Sequence, residues 1–375
     1  MTTTEAASNP TVYLETLGCS KNEVDSAKVT GMLGSAGYVT VDDAGTADVV
    51  MVNTCAFIES ARQESIETII DLADTKRSDA RLVVIGCMAQ RYETELRSAL
   101  PEADAVVGLD RYPELVGTLD RLVQWHPLTI RPAVSPKMDI LSMVARPTPT
   151  TPYGYVKVAE GCDKPCTFCA IPLFRGKQRS RSPVNIREEI AILTGAGVSE
   201  IVLVAQDLAA YGRDIDAPGG IVDLLGFVSD VDGLRRLRLY YLYPREIRQP
   251  LIDEIAGNPL IADYFDLSLQ HSSERLLRAM KRPGSGERHL ELVGRIRAAS
   301  EQAAARSSFI VGFPGETDDD VDELADFLEA ARLDWAGFFP YSAEEGTAAA
   351  GFDGQIPADE IAARQRHLLT IQEDI

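Results

Sequence analysis

Three cysteines, Cys162, Cys166 and Cys169, lie within the run Glu160-Gly161-Cys162-Asp163-Lys164-Pro165-Cys166-Thr167-Phe168-Cys169. Thiols spaced C-x3-C-x2-C in so short a loop can converge on one metal centre, and they supply three ligands, not four. A structural zinc site is normally closed by a fourth Cys or His. The histidines, His126, His271, His289 and His367, all lie far away in sequence, so a zinc site would have to borrow its last ligand from elsewhere in the fold. A disulfide would need an oxidising compartment. A cubane iron-sulfur cluster accommodates the shortage: three irons take thiolates and the fourth keeps an open position for a small molecule.

The other three cysteines, Cys19, Cys55 and Cys87, each follow a short apolar run, at 12–17, 49–53 and 82–86, and each precedes a helical pattern. Strands alternating with helices pair in parallel through right-handed crossovers, which puts every strand's carboxyl end on one edge of the sheet. The three cysteines therefore share an edge, and in open α/β sheets that is where ligands bind. A lone cysteine of this kind is often a small buried hydrophobe; three at matching positions predict a second three-cysteine iron-sulfur cluster. A helix opening after each loop aims N–H groups at the site, which suits an anionic thiolate or sulfide.

The elements that would hold the first triplet form a second α/β series. Strand-like runs at 153–159, 200–206, 237–242, 265–270, 307–313 and 335–341 alternate with helical patterns. Six such units predict a partial, open TIM-like (β/α)6 barrel, with chemistry at the carboxyl ends of the strands. Those ends are polar: the cysteine loop, Gln206-Asp207, Gln270-His271 and Gly312-Phe313-Pro314-Gly315-Glu316. His271 is either a satisfied strand-end histidine or part of the site. Gly312 and Gly315 are either turn glycines or points of close approach to a ligand. The acidic run 318–320 is expected to open a helix.

A chain of 375 residues suits two domains. The expected boundaries are 11–126 for the first, 127–152 for a linker rich in Pro, Thr and Ser, and 153–375 for the second. The first ten residues have no basic or apolar signal region, and no apolar run is long enough to span a membrane, so a cytoplasmic protein with reduced thiols is expected. The net charge of -20 opposes binding to phosphate backbones, which calls for a basic patch. The short basic segment 175–181 is either a contact to cofactor or substrate, or a solvated helix-entry loop.

The run C-x3-C-x-Phe-x-C resembles the signature of radical S-adenosylmethionine (SAM) enzymes. Three cysteines in an N-terminal α/β domain ahead of such a barrel resemble, over residues 12–375, the methylthiotransferase family. Within it, Leu17-Gly18-Cys19-Ser20-Lys21-Asn22-Glu23-Val24-Asp25-Ser26, Ala170-Ile171-Pro172 with Arg175-Gly176, Gln206-Asp207 with Tyr211-Gly212, and Met280-Lys281-Arg282-Pro283-Gly284-Ser285 look like the RimO-like branch. Ser20 and Ser268 depart from it, standing where many such sequences carry proline.

The resemblance implies two 4Fe-4S clusters, one on Cys162, Cys166 and Cys169 and an auxiliary one on Cys19, Cys55 and Cys87. At the first, SAM would chelate the open iron and be cleaved to a 5′-deoxyadenosyl radical; the second would hold the sulfur to be transferred. It implies a SAM pocket of Phe168, Gln206, Gln270, Arg306, Gly312 and Gly315. The substrate would be an aspartate of a basic small-subunit ribosomal protein, with a flavodoxin or ferredoxin as electron donor and neither membrane nor transfer RNA as partner. A transfer-RNA adenosine methylthiotransferase is the alternative from the same family, and a two-cluster electron carrier the alternative from outside it. The family's additional terminal β-barrel (TRAM) is expected to be absent, since residues 357–375 read as a helix.

Overall fold

The computed structural model describes residues 9–125, 139–217 and 219–375, and its contacts divide the chain into two units at Thr148/Pro149. The first unit runs β1 (Thr11–Thr16), α1 (Ser20–Ser35), β2 (Val39–Thr40), β3 (Val49–Thr54), α2 (Glu59–Thr75), β4 (Arg81–Gly86), α3 (Cys87–Arg91), α4 (Glu93–Ala99), β5 (Ala105–Val107) and α5 (Leu115–Leu122). Its sheet is wholly parallel, in the order β2-β1-β3-β4-β5. β3, the central strand, is buried along its whole length, as a parallel strand covered on both faces must be. Val49 and Met51 pack with Val29, Met32 and Leu33 of α1 and with Leu115 and Leu119 of α5. Each such side chain contributes about 1.5–3 kcal/mol. The apolar periodicity marked β1, β3 and β4. The edge strands β2 and β5, two and three residues long, are too short to show a period.

Of the segment expected to link the domains, 127–138 lie outside the described residues, as does His126. Residues 139–148 belong to the first unit, where the buried Lys28 of α1 donates to the Leu141 carbonyl at 2.6 Å.

The second unit runs β6 (Tyr153–Lys157), β7 (Ala159–Glu160), α6 (Ile171–Arg175), β8 (Arg179–Ser180), α7 (Pro183–Gly195), β9 (Glu200–Val204), α8 (Gly220–Val228), β10 (Arg236–Leu239), α9 (Gln249–Gly257), β11 (Tyr264–Gln270), α10 (Glu274–Ala279), α11 (Gly286–Ala299), β12 (Ala304–Val311), α12 (Asp318–Ala331), β13 (Trp335–Pro340) and α13 (Ala358–Asp374). Strands β6, β9 and β10 form one parallel sheet and β11, β12 and β13 another. Parallel bridges from Leu237 to Ile261 and from Leu242 to Leu267 join them. The six strands thus follow one another in chain order, the partial (β/α)6 barrel expected.

Alternation along β12 shows how its faces divide. Ala305, Phe309 and Val311 are buried in the core shared with the helices, whereas Arg306, Ser308 and Ile310 are half-buried on the other face. The acidic run 318–320 opens α12 as expected: Thr317 caps it and Asp320 completes a capping box. Among the described residues no helix is long and apolar enough to cross a membrane.

Candidate metal centres and cofactor pocket

In the first unit β1, β3 and β4 are adjacent, so the loops bearing Cys19, Cys55 and Cys87 leave the sheet side by side. Cys19 is the N-cap residue of α1 and Cys87 opens α3. Gly18, with φ +93°, brings the first loop against the second: a Cβ there would lie 3.0 Å from Cys55 Sγ. Asn22 links the loops, its Nδ2 donating to the Leu17 carbonyl at 2.8 Å and the Thr54 carbonyl at 3.1 Å, while its Oδ1 lies 3.4 Å from Cys87 Sγ. Cys55 and Cys87 are buried. The structure therefore brings the Cys55 and Cys87 thiols to Gly18 and Asn22, with Cys19 next to Gly18 in the chain.

In the second unit the Cys162 loop leaves the carboxyl end of β6. The antiparallel pair β7–β8, which the period of the sequence did not reveal, pins its two ends. Cys162 N–H donates to the Gly176 carbonyl at 3.1 Å. Gly161, φ +80°, passes so close that a Cβ would meet the Lys177 oxygen at 2.1 Å. Farther along, Thr167 N–H donates to the Met280 carbonyl at 3.1 Å and its hydroxyl to the Ala279 carbonyl at 2.9 Å. Phe168 packs on a small apolar cluster of Leu276, Leu277, Met280, Phe313 and Ala349.

The three thiols lie near enough to repel one another as thiolates. Burial raises Cys162, and the negative charges of Asp207 and Cys166 add to it. Burial likewise pushes Cys169 up to about 12, with Cys166 and Cys162 contributing. Bound iron would take the place of these protons.

Glu160 is the electrostatic hub beside this loop. It accepts from Lys157 Nζ at 2.6 Å, from Arg175 at 2.9 Å on both oxygens and from Gln206 Nε2 at 2.6 Å. Burial alone would raise its carboxyl, but the Arg175 and Lys157 cations override this and hold it well below the usual range. The basic segment 175–181 is consequently neither solvated nor free for a ligand at its two ends: Arg175 serves Glu160, and Arg181 is buried against Glu189 at 2.5 Å. Lys164, inside the loop, pairs with Glu246 at 2.6 Å and Asp207 at 3.3 Å.

Other residues expected in the pocket are placed as follows. Gln206 lies beside the cysteine loop through Glu160, and its buried Oε1 has no hydrogen-bond partner among the described residues. Gln270 closes β11 at φ +73°, where the register with β12 shifts; a non-glycine in this region costs roughly 1–2 kcal/mol. Gly312 has φ +81°, and the close approach there is made by Ile361 of α13, 2.3 Å from where a Cβ would sit. Gly315, φ +79°, is a turn whose N–H donates to the Gly354 carbonyl at 2.8 Å. Arg306 departs from the expected grouping. It sits in the first half of β12, 3.6 Å from Asp266, and six residues of strand put it about 20 Å from Gly312 at ~3.3 Å per residue.

His271 is fully buried. Its Nδ1 accepts from Ser273 N–H at 3.0 Å and its Nε2 lies 3.6 Å from Glu316. Glu316 in turn accepts from Gly312 N–H at 3.0 Å on both oxygens and from Arg364 of α13 at 3.0 Å. Glu160, Asp207, Glu246, Arg282 and Glu316 were given no role in the sequence reading. Asp207 and Glu316 belong to the polar strand ends and Glu160 and Arg282 to runs already singled out, whereas Glu246, in the turn 244–246, carries no sequence signal.

Among the described residues no group of three or more His, Cys, Asp or Glu is spaced to share a single metal ion. A cubane asks for something different, thiolates on separate irons and so farther apart. The two triplets fit it: three cysteines on adjacent loops at one sheet edge, three more in a cinched loop, and beside the second a buried Gln206 Oε1 with no hydrogen-bond partner among the described residues.

Residues 11–108 match the uncharacterized protein family UPF0004, and residues 156–328 match the radical SAM superfamily. The ribosomal protein uS12 methylthiotransferase RimO of Saccharopolyspora erythraea is 44% identical over 97% of this chain and 80% of its own length. The protein of the same description from Streptomyces griseus is 42% identical over 97% and 82%. Among solved structures, the radical SAM methyltransferase TsrM from Kitasatospora setae, with cobalamin and a 4Fe-4S cluster bound, superposes with a TM-score of 0.64 at 17% identity. That match covers 88% of this chain and 75% of TsrM, and at this identity it speaks for the fold alone. With two cysteine triplets on two parallel-sheet units and relatives matched along nearly its whole length, the chain belongs to the RimO family of ribosomal protein uS12 methylthiotransferases, within the radical SAM superfamily.

Proposed function

We propose that this enzyme transfers a methylthio group to the β-carbon of an aspartate in ribosomal protein uS12, in the cytoplasm and with a small electron-transfer protein as reductant. Family membership brings iron-sulfur clusters and SAM as cofactors. In this reading residues 153–375 form the radical SAM core, with Cys162, Cys166 and Cys169 as ligands, and residues 11–126 carry the auxiliary cluster on Cys19, Cys55 and Cys87. When bound, the cofactors supply a radical able to abstract hydrogen from an unactivated carbon, chemistry beyond acid-base groups.

The chain's own residues bind and orient. Gln206, fixed by Glu160 and with its Oε1 unsatisfied, offers a hydrogen-bond acceptor beside the cysteine loop. Gln270 and the Gly312–Gly315 turn present backbone at the neighbouring strand ends, and Phe168 walls the apolar side. Arg306, deeper in its strand, is left out of this set.

The observation that carries the proposal is the pair of triplets, one on the adjacent loops after β1, β3 and β4 and one in the loop that follows β6, in a chain whose relatives are uS12 methylthiotransferases. The net charge of -20 agrees with it, because an acidic surface steers a basic protein inward and repels a polyanion. The test offers anaerobically reconstituted protein, with SAM, reductant and sulfide, both uS12 and unmodified transfer RNA. Mass spectrometry should find the methylthio group on one aspartate of uS12. Its appearance on an adenosine would transfer the chain to the transfer-RNA branch.

A further inference from the structure

The geometry points to Arg282 as the residue that sets how readily the cluster on Cys162, Cys166 and Cys169 accepts an electron, by holding an otherwise unbalanced cation against the Cys166 sulfur. This rests on the reading that those three cysteines bind a cubane.

Four arginines are buried among the described residues: Arg175, Arg181, Arg282 and Arg364. Three have a carboxylate, Glu160, Glu189 and Glu316 respectively. Arg282, 7% exposed, has none within ion-pair distance among the described residues. Its guanidinium donates to the Ser268 carbonyl, reaches Cys166 Sγ at 3.5 Å and stacks 4.3 Å from the centre of the Tyr243 ring. Its Nε is buried without a hydrogen-bond partner among the described residues. Lys164 lies 4.4 Å from the centre of the same ring, but Glu246 and Asp207 balance its charge.

Burying a cation without a counter-ion costs several kcal/mol, and a carbonyl and a ring face offset only part of that. The remaining group in contact is a sulfur. As a thiol it is a weak acceptor; as a thiolate ligand it carries the missing negative charge. The spacing is built in by backbone, not left to a flexible side chain. Arg282 N–H donates to the Leu277 carbonyl at 2.8 Å, and the same turn accepts Thr167 N–H, from the residue after Cys166, at the Met280 carbonyl.

Reduction adds one electron, from a one-electron donor, and so one negative charge to the cluster. A fixed cation and an N–H donor at a ligand sulfur favour the reduced form over the oxidised form, and both are established levers on cluster potential. Arg282 is thus a positioning residue of the electron-transfer step, acting through Cys166.

The test uses the full chain with Cys19, Cys55 and Cys87 replaced by Ala, so that one cluster contributes. After anaerobic reconstitution and an iron and sulfide count, the protein is poised with dithionite and mediators and the reduced cluster is quantified by electron paramagnetic resonance. Arg282→Gln should keep about four irons. At the parent's midpoint its reduced-to-oxidised ratio should fall tenfold, which is about 59 mV for a one-electron couple. Arg278→Gln, which removes an exposed cation paired with Glu274, should leave the ratio within a factor of about two, as expected for a screened surface charge. An Arg282→Gln protein with its iron intact and its ratio unmoved overturns the proposal, whereas a parent without iron overturns the cysteine assignment instead. Should Arg282→Gln fail to hold iron, the parent labelled with nitrogen-15 arginine decides. Pulsed resonance of its reduced cluster should show a guanidinium nitrogen coupling, and a spectrum without one overturns the proposal.

Discussion

Gly18 and Cys55 touch: a Cβ on Gly18 would fall 2.9 Å from Cys55 Cβ and 3.0 Å from its sulfur. No side chain fits there, and φ at Gly18 is +93°, a conformation costing an L-residue roughly 1–2 kcal/mol. Gly18→Ala should therefore displace a ligand of the N-terminal centre and leave the barrel centre alone. Reconstituted Gly18→Ala protein should hold about four irons fewer than wild type. Full iron content would show that the Cys55 thiol is not a ligand.

The two centres should also separate by function. Replacing Cys162, Cys166 and Cys169 by Ala should leave about four irons and abolish reductive cleavage of SAM. Cys55→Ala should still cleave SAM while giving no methylthio product by mass spectrometry. Loss of SAM cleavage in a well-folded Cys55→Ala protein would contradict the division.

At Gly312 the space for a Cβ is filled by Ile361, with Cγ1 at 2.3 Å. Gly312→Ala should lower the free energy of urea unfolding by about 1–3 kcal/mol, as overpacking in a closed site does. Adding Ile361→Ala should recover part of that loss, since contacting sites are coupled. Strict additivity of the two changes would mean that α13 yields freely.

His289 gives a pH dependence. Burial, with the Arg282 charge nearby, lowers it from 6.5 to about 4. Between those values the unfolded chain binds a proton that the folded chain refuses, so stability is full above pH 6.5 and falls as pH drops towards 4. The loss amounts to about 3 kcal/mol for a shift of this size. Urea unfolding at pH 7 and pH 4 should show wild type losing that much more than His289→Gln. Equal losses in the two proteins would remove His289 as the cause.

Much of this arrangement was legible because period and punctuation survive in the sequence. The runs before Cys19, Cys55 and Cys87 are apolar enough to identify β1, β3 and β4, and parallel pairing then places the three thiols on one edge. What stayed hidden is tertiary. Nothing local distinguishes Arg175, buried on Glu160, from Arg278, which is exposed, because a charge declares its partner only after the chain has folded. The pair β7–β8 joins residues some twenty apart through two-residue strands, below any periodic signal. Gly312 read equally as a turn glycine or as a point of close approach to a ligand, and the side chain that fills the hollow there, Ile361, comes from a helix about fifty residues farther on.

Glu316 has a mechanical consequence. One carboxylate grips the Gly312 N–H with both oxygens and Arg364 of α13 with one of them, and Ile361 of the same helix fills the hollow at Gly312. Helix and loop are thereby geared together: α13 cannot slide by a turn without stripping Glu316 of its cation and withdrawing the Ile361 wedge. A load applied to the outer face of α13 would be transmitted inward to the strand ends beside the cysteine loop, as force through a lever.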